Sequence, residues 1–286
     1  MKNFLILTTF LIILSACKGT TTTTESAVNY GSCILGKWSD SALPLSIKMS
    51  SDFTGDYSNV NLVNGLNPLE QMAKVWNDAA SPKTLMTVPF PIASTTGYAD
   101  AGSFRDSELG IYKSFTWFNT VGSGVLAITQ FYGVVTSSPA LGQYISLTHA
   151  DVIVNYRDFG QRLTMVNNPK KDYDVPTIVL HELGHLMGLC HESKRPSIMA
   201  PAYITTQRNI QAYDADLIKN LYVNGTISGQ SAVKVQNTNT LKQAEGTQVR
   251  GTIELHADGK CVHYLNGQKT LEHSVDVFKQ NKKGLH

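Results

Sequence analysis

A single short segment combines three histidines and a glutamate at spacings that suit a metal-dependent hydrolase. Residues 181–191 read HELGHLMGLCH. Residues four apart on a helix lie one turn above each other, so His181 and His185 can present two imidazoles to one metal ion. Glu182 lies one position further on, close enough to reach a water molecule bound to that ion. We therefore predict a metal centre on a helix.

The next part of the segment can supply a third ligand. Gly188 can adopt a positive φ, which ends a helix and turns the chain sharply. That turn can bring His191 back towards the metal. Three neutral nitrogens and an open fourth position are typical of catalytic zinc, whereas structural sites are closed by four protein ligands. Cys190 is not expected to be a fourth ligand, because its side chain should point away from that of His191.

The predicted chemistry is hydrolysis with one catalytic zinc ion (Zn2+). Zinc lowers the pKa of its bound water far below that of bulk water, towards about 7. Glu182 would accept the proton of the attacking water and return it to the leaving amine. The alternative is a surface helix that carries histidines by chance, and the glycine at the position where the turn is needed disfavours it.

The elements that must position these residues form a mixed α/β pattern. Asp174 is a candidate N-cap and Pro176 suits a first helical turn, so we predict a helix over 175–189. An earlier helix is indicated by four apolar residues at helical spacing, and Ser81-Pro82 ends it. The four are Leu69, Met72, Ala73 and Trp76.

A period-two pattern predicts the first of six strands. Gly, Ser and Asp predict a loop over 97–110, and Ser, Pro and Gly predict a break between strands over 133–142. A last helix is predicted over 214–222, with Gly225 after its end. The predicted strands are 45–49, 84–89, 111–118, 125–132, 144–148 and 151–156.

After residue 226 the pattern changes to a small β unit. A strand is predicted over 248–256, and Asp258-Gly259 and Asn266-Gly267 are typical hairpin turns. This unit could dock on the main domain, bind a target or block the cleft. Its residues His256, Cys261 and His263 could form a second metal site, although alternation along strands also explains their spacing. We assign no role to His149 and His273.

The first residues predict export. Lys2 precedes an apolar stretch over 4–14 that is too short to remain as a membrane span. The sequence then reads Leu-Ser-Ala-Cys up to Cys17, which resembles a bacterial lipobox and implies cleavage before Cys17 and acylation of its thiol. An ordinary signal peptide with an incidental cysteine is the alternative. Five threonines over 20–24 predict a flexible tether, and the lipid predicts anchoring in the cell envelope, on the outer membrane or cell surface.

Three cysteines remain after Cys17, namely Cys33, Cys190 and Cys261, and export makes a disulfide plausible. The sequence does not choose among the three pairs. Cys33 could instead cover the metal as a thiolate, although a disulfide or an idle thiol is favoured.

The composition sets the class of protein. The chain has 286 residues, 42% hydrophobic, and a formal net charge of +2. This length suits one medium catalytic domain with a small appendage. The balanced charge and the lack of Lys/Arg runs exclude nucleic acid as an expected partner. We expect a monomer.

The zinc segment resembles the long motif of the metzincin clan of metallopeptidases, and most closely its matrixin (matrix metalloproteinase) branch. Residues 197–199 resemble the Met-turn, which implies that Met199 forms a hydrophobic floor below the metal. Pro201 and Tyr203 match the segment that walls the S1′ pocket in matrixins. The resemblance spans 37–225, with further matches at 37–38, 74–76, 214–218 and 221–222.

This resemblance implies a metzincin-like α/β fold. It has a twisted, mostly parallel sheet, one antiparallel edge strand and an active-site helix, with a small C-terminal β unit added. The candidate edge strand is 125–132, to which a peptide would add as a further strand. Ala200 stands where many relatives have Tyr, and the His/Asp cluster of a structural zinc is missing. We therefore predict one zinc and leave calcium open.

The predicted organisation is a signal peptide (1–16), a lipid-anchored tether (17–36), a catalytic domain (37–225) and a β-rich extension (226–286). The predicted function is zinc-dependent endopeptidase on protein or peptide substrates. Two alternatives are a non-catalytic adhesion or binding lipoprotein on a zincin scaffold and a hydrolase of another class, such as a peptidoglycan amidase. An intact Glu182 disfavours the first, and the Met-turn resemblance disfavours the second.

Overall fold

One large mixed sheet forms the frame of the molecule. The computed structural model describes residues 33, 35–57, 62–168, 170–192, 195–226 and 244–274. The strands are β1 (Gly36–Lys37), β2 (Ile47–Met49), β3 (Leu109–Ser114), β4 (Val125–Ser138), β5 (Gly142–Asn155), β6 (Leu163–Thr164), β7 (Tyr173–Asp174), β8 (Gln248–His256), β9 (Lys260–Leu265) and β10 (Gln268–Ser274). The α-helices are α1 (Pro68–Ala79), α2 (Tyr156–Phe159), α3 (Val175–Leu186) and α4 (Ala212–Lys219).

The main sheet has the strand order β10-β9-β8-β4-β5-β3-β2, and β1 pairs with the first half of β5. The pairs β2–β3, β3–β5 and β1–β5 are parallel. The pairs from β5 through β4 to β10 are antiparallel. This architecture confirms the predicted fold class, with an α/β domain and C-terminal β strands.

The position of β4 differs from the prediction. Its antiparallel pairing with β5 is as expected, but the prediction that it is an edge strand is wrong. β8 pairs with its other side, from Val125 opposite His256 to Val134 opposite Gln248. The C-terminal β unit therefore continues the main sheet, because an exposed strand edge offers a row of unpaired backbone groups to any compatible strand.

The segment 133–142 was predicted as a loop and instead belongs to a long hairpin. The two predicted strands 144–148 and 151–156 are likewise one continuous strand, β5. The register shifts between Tyr132 and Gly133, where a Cβ on Gly133 would lie 2.5 Å from the carbonyl oxygen of Ser146. Gly133 thus permits a bulge inside the strand and does not end it.

The predicted strand at 84–89 does not form a ladder. It contributes one isolated bridge, between Leu45 and Met86. The Asn77 side chain satisfies the backbone there: its Oδ1 accepts from the N–H groups of Leu85 and Met86 at 2.9 Å, and its Nδ2 donates to the Met86 carbonyl. Pro89 has no N–H with which to extend a ladder.

Helix α1 holds α3 in place. Asn67 caps α1 and forms a reciprocal capping box with Glu70. The four predicted apolar residues of α1 are buried, and the indole N–H of Trp76 donates to the Leu180 carbonyl of α3 at 2.9 Å. This contact holds the middle of α3 against α1.

Helix α3 is buried along its whole length. Asp174 caps it as predicted, accepting from the N–H of Thr177 at 3.0 Å. The helix ends at Leu186, three residues before the predicted end at Leu189, because Gly188 already has a φ of +90°. The indole of Trp38 donates to the Leu186 carbonyl at 2.8 Å, which secures this end.

The last helix also differs slightly in extent from the prediction. α4 starts at Ala212 and ends at Lys219, and a π-helical turn continues to Asn224 before Gly225, whose φ is +63°. The hydroxyl of Tyr222 in this turn donates to the Met187 carbonyl at 2.8 Å. This π-helical turn therefore stabilises the end of α3.

A disulfide joins Cys33 to Cys190, with the two Cα atoms 6.1 Å apart. It selects one of the three possible pairs and leaves Cys261 as the free cysteine among the described residues. Cys33 is therefore not a thiolate ligand in this structure.

The predicted signal peptide and Cys17 lie outside the described residues, as does most of the predicted tether. Gly36, at the end of that tether, lies in β1. Among the described residues, no helix has the length and apolar character that a membrane crossing requires.

Candidate metal centre

Three imidazoles converge at the C-terminal half of α3. His181 and His185 lie one turn apart on the helix, and the turn at Gly188 brings His191 back to them. The Nε2 atom of His185 lies 3.0 Å from that of His181 and 2.9 Å from that of His191, and the remaining pair is 3.3 Å apart. All three side chains are buried. The structure thus brings the three predicted ligands together.

The opposite ring nitrogens fix the orientation of these imidazoles. The Nδ1 atom of His181 lies 2.7 Å from the Ile198 carbonyl oxygen, and that of His185 lies 2.8 Å from the Leu189 carbonyl oxygen. A carbonyl oxygen only accepts, so both Nδ1 atoms carry the proton. Their Nε2 lone pairs therefore face the centre, which is the arrangement of metal-binding histidines.

His191 is oriented by another side chain. Its Nδ1 atom lies 2.8 Å from Nε2 of His263 on β9. A proton on Nδ1 of His191, donated to His263, leaves the Nε2 lone pair of His191 facing the other two imidazoles. The C-terminal β unit therefore supplies the hydrogen-bond partner of His191, whereas backbone carbonyls are the partners of His181 and His185.

The residues fit a zinc ion. Nitrogens bound to one tetrahedral zinc at about 2.0–2.1 Å lie about 3.3 Å apart, close to the observed separations. Burial lowers the pKa of His181 to about 4, so its imidazole is neutral and can ligate near neutral pH. Three buried lone pairs that face one another repel unless a cation or protons lie between them. A cation with nitrogen ligands therefore explains the cluster.

Glu182 directly follows His181 on α3. Its side chain is fully buried, and its Oε2 accepts from the Thr129 hydroxyl of β4 at 2.5 Å. Its Oε1 atom has no hydrogen-bond partner among the described residues. Burial raises the pKa of the carboxyl to about 8, and the Thr129 hydroxyl opposes this shift. A nearby cation would favour the charged form and lower the pKa again.

Met199 packs against the helix at Gly184. Met199 is fully buried, and a Cβ on Gly184 would lie 2.3 Å from its sulfur. The predicted position of Met199 below the site therefore depends on the absence of a side chain at Gly184. We assigned no role to Gly184 from the sequence; the signal that could have shown it is an unexplained glycine in the middle of a helix.

Asp214 is a supporting residue whose role the sequence did not show. Its carboxylate accepts from the N–H groups of Ile198 at 3.0 Å and Gln211 at 2.8 Å, and from the Ser197 hydroxyl. The Ile198 carbonyl in turn receives the Nδ1 proton of His181. Asp214 therefore holds the turn that orients one of the three imidazoles.

Replacing Asp214 by asparagine should lower the free energy of unfolding by about 1–3 kcal/mol, because one amide oxygen cannot satisfy all three donors that the carboxylate binds. Metal affinity should fall about tenfold, because the partner of His181 becomes less well placed. Chemical denaturation and metal titration measure the two effects. Asp216→Asn is the matched control, since Asp216 is exposed on the same helix. Equal effects of the two substitutions would contradict this role.

A small pocket lies beside His181. The Tyr203 hydroxyl accepts from the Asp174 N–H at 2.9 Å, which ties the segment after Met199 to the start of α3. Pro201 is buried two residues before Tyr203. The pocket is lined by Thr177, Ile178, His181, Ser197, Ile198, Ala200, Ala202, Tyr203, Ile204, Thr205, Gln207 and Leu255. Tyr203 of the predicted S1′ wall therefore lines this pocket together with His181, whereas Pro201 is not among its lining residues, and Leu255 reaches the pocket from β8.

The three residues of the C-terminal β unit that could form a second metal site do not share one site in the structure. Cys261 is buried, with its sulfur 3.4 Å from Nε2 of His191, and it forms a possible metal-binding group with His191 and His263. His256 instead lies 2.9 Å from a Glu254 carboxylate oxygen. Cys261 and His263 therefore lie beside His191 of the three-histidine centre, whereas His256 does not.

The remaining predictions on Cys and His residues are resolved in part. Cys190 is in the disulfide, so it is not a ligand. His149 lies 2.7 Å from an Asp151 carboxylate oxygen and from the Phe104 carbonyl, away from the metal centre. The side chain of His273 is not among those described.

Comparison with known proteins agrees with this geometry. Residues 116–223 match the family model described as matrixin. A curated relative, metalloendoproteinase 2-MMP of Arabidopsis thaliana, is 39% identical over 70 residues, which cover 22% of this chain and 18% of the relative. The chain thus matches less than a fifth of the length of that relative. The predicted resemblance to matrixins is confirmed over residues 116–223, and the match ends before β8.

Proposed function

We propose that this chain is a zinc-dependent metalloendopeptidase that hydrolyses peptide bonds in protein or peptide substrates. The observation that carries the proposal is the convergence of three buried Nε2 atoms beside a buried glutamate, one of whose oxygens has no hydrogen-bond partner in the described part of the chain. The match to the matrixin model and the name of the Arabidopsis relative support the same class of reaction.

The residues of the centre have separate roles in the proposed reaction. His181, His185 and His191 would hold the zinc ion through Nε2. A zinc ion in such a site supplies Lewis acidity, which polarises a peptide carbonyl and makes water acidic enough to attack it near neutral pH. Glu182 accepts the proton of the attacking water at Oε1 and delivers it to the leaving amine. The Thr129 hydroxyl holds the other carboxylate oxygen, so that Oε1 keeps a fixed direction.

We also propose where the protein is located in the cell. Export and anchoring in the cell envelope through a lipid on Cys17 follow from the lipobox-like sequence. Mass spectrometry of the mature protein from a membrane fraction would test it, with cleavage before Cys17 and an acyl mass as the expected result. Metal analysis of the same sample would show whether calcium accompanies zinc.

The experiment that tests the proposed function measures zinc content and peptide cleavage by soluble residues 18–286. Because β8 covers β4, a specific protease recognition sequence is inserted between Thr226 and Ala244, and intact and nicked chains are both assayed. We expect one zinc per chain, cleavage of a peptide library, and loss of cleavage on chelation that zinc reverses. A chain that binds no zinc, or a zinc-loaded chain that cuts no peptide in either form, would refute the proposal.

A further inference from the structure

The C-terminal β unit lies on the side of β4 that a peptide would use. β8 runs antiparallel to β4 and pairs with it from Val125 to Val134. A peptide that adds to a sheet needs an unpaired strand edge, because its affinity comes from backbone hydrogen bonds to that edge. β8 therefore excludes a peptide from β4 as long as it stays paired.

Strand β8 also sends a side chain into the pocket beside the metal centre. Leu255 lines the pocket that contains His181 and Tyr203, and it is 1% exposed. The resemblance at Tyr203 implies that this pocket would take a substrate side chain. The covering strand thus occupies both the backbone position and the side-chain position of a peptide.

Strand β9 brings a thiol to the metal centre. In the sheet, Thr129 pairs with Ile253 and Ile253 with His263, while Ala127 pairs with Leu255 and Leu255 with Cys261. Directly paired residues point to the same face of a sheet. Thr129 contacts Glu182 on that face, so Cys261 and His263 also face the metal centre.

One distance, to His191, supports ligation by Cys261; the ligand atoms of His181 and His185 group with His191 but not with Cys261. Its sulfur lies 3.4 Å from Nε2 of His191, the atom that faces the other two imidazoles. Sulfur and nitrogen atoms bound to one tetrahedral zinc, at about 2.3 Å and 2.1 Å, lie about 3.5 Å apart. The side chain is buried, so the contact is not a surface encounter. A fourth protein ligand would close a site whose catalysis needs an open position.

We propose that residues 244–274 are an intramolecular inhibitor, in which β8 occupies the substrate position on β4 and Cys261 is a fourth ligand of the metal. The inference rests on the proposed function, since the metal held by the three histidines is what Cys261 binds. Formation of the metal–sulfur bond releases the thiol proton to solvent. Opening breaks that bond and returns the fourth position to water.

Cobalt(II) in place of zinc tests the metal–sulfur bond without an activity assay. Cys261 is the single free thiol that the disulfide leaves in residues 18–286. We expect the intact chain with one cobalt to show a thiolate-to-cobalt charge-transfer band in the near ultraviolet. Cys261→Ser should lose this band and keep the visible bands of a histidine-bound cobalt. Lys260→Ser, at an exposed neighbour, should leave both unchanged.

Three results of this experiment have different meanings. Cobalt bound with no thiolate band in the intact chain overturns the inference and leaves the proposed function standing. No cobalt bound in the intact chain or in Cys261→Ser counts against both the inference and the proposed function. A thiolate band that survives in the double variant His181→Ala/His185→Ala shows that His191, Cys261 and His263 form a separate site, which also overturns the inference.

Nicking between Thr226 and Ala244 tests the part played by β8. The zinc-loaded intact chain should cleave peptides at least about tenfold more slowly than the nicked chain, because a tethered strand competes at an effective concentration in the millimolar range. Intact Cys261→Ser should remain slower than the nicked chain, since β8 still covers β4. Equal rates for the intact and nicked native-sequence chains would overturn the inference.

Discussion

Replacing Glu182 by glutamine is expected to lower kcat/KM for peptide hydrolysis by about 10²–10⁴-fold while zinc stays bound. Glutamine has nearly the same shape and can still accept from the Thr129 hydroxyl, so the pocket should keep its packing. Its amide cannot accept the proton of the attacking water, which is the role proposed for Oε1. The measurement is cleavage of a fluorogenic peptide by the nicked chain, with zinc content determined on the same sample.

Glu70→Gln provides the matched control for loss of a buried carboxylate. Glu70 accepts from the N–H groups of Asn67 and Phe90 in the capping box of α1 and does not touch the metal centre. This substitution should lower stability and leave kcat/KM of the folded protein unchanged. If Glu182→Gln retains full activity with zinc bound, another group accepts the proton and the proposed mechanism is wrong.

The parts of the centre that the sequence predicted are those fixed by local geometry. His181, Glu182 and His185 share two turns of one helix, and Gly188 and His191 follow directly. Helical periodicity and the positive φ of a glycine are enough to bring these residues together without knowledge of the rest of the fold. The same holds for the N-cap at Asp174.

The parts that the sequence did not predict depend on distant contacts. Cys261 and His263 lie 70 and 72 residues after His191 in the chain. They reach it because β8 pairs with the side of β4 that β5 leaves free. A local sequence pattern does not show which sheet edge a strand will join. The disulfide between Cys33 and Cys190, 157 residues apart, was open for the same reason.

The errors in the strand predictions have local physical causes. Composition suggested a loop around Gly133, but a glycine inside a strand can also mark a bulge, and here the pairing continues on both sides of it. The sequence suggested a strand at 84–89, but the Asn77 side chain binds backbone groups that a neighbouring strand would otherwise have paired. Side chains that compete for backbone hydrogen bonds are invisible to a pattern of hydrophobicity.

The turn at Gly188 joins the end of α3 to β1, which makes this turn sensitive to substitution. Gly188 has a φ of +90°, and a Cβ at this position would lie 2.0 Å from the Gly36 carbonyl oxygen in β1. The Gly36 N–H in turn donates to the Gly188 carbonyl at 2.9 Å. Any side chain at 188 must therefore separate β1 from the end of α3.

Gly188→Ala is expected to lower the free energy of unfolding by about 3–5 kcal/mol, through backbone strain and displacement of a packed backbone. Gly225→Ala is the matched control. Gly225 has a φ of +63° but open space around its Cβ position, so it should cost only about 1 kcal/mol. Chemical denaturation of the two variants separates the strain common to both from the close approach found only at Gly188.

The same pair of variants links the fold to the metal. The Leu189 carbonyl that accepts the Nδ1 proton of His185 directly follows Gly188, and His191 lies two residues further on. Folded Gly188→Ala should therefore bind zinc more weakly by about 10–100-fold, whereas Gly225→Ala should bind it as the native sequence does. Equal zinc affinity in both variants would mean that the ligands keep their positions when the turn moves, and that α3 alone, rather than its contact with β1, sets the geometry of the centre.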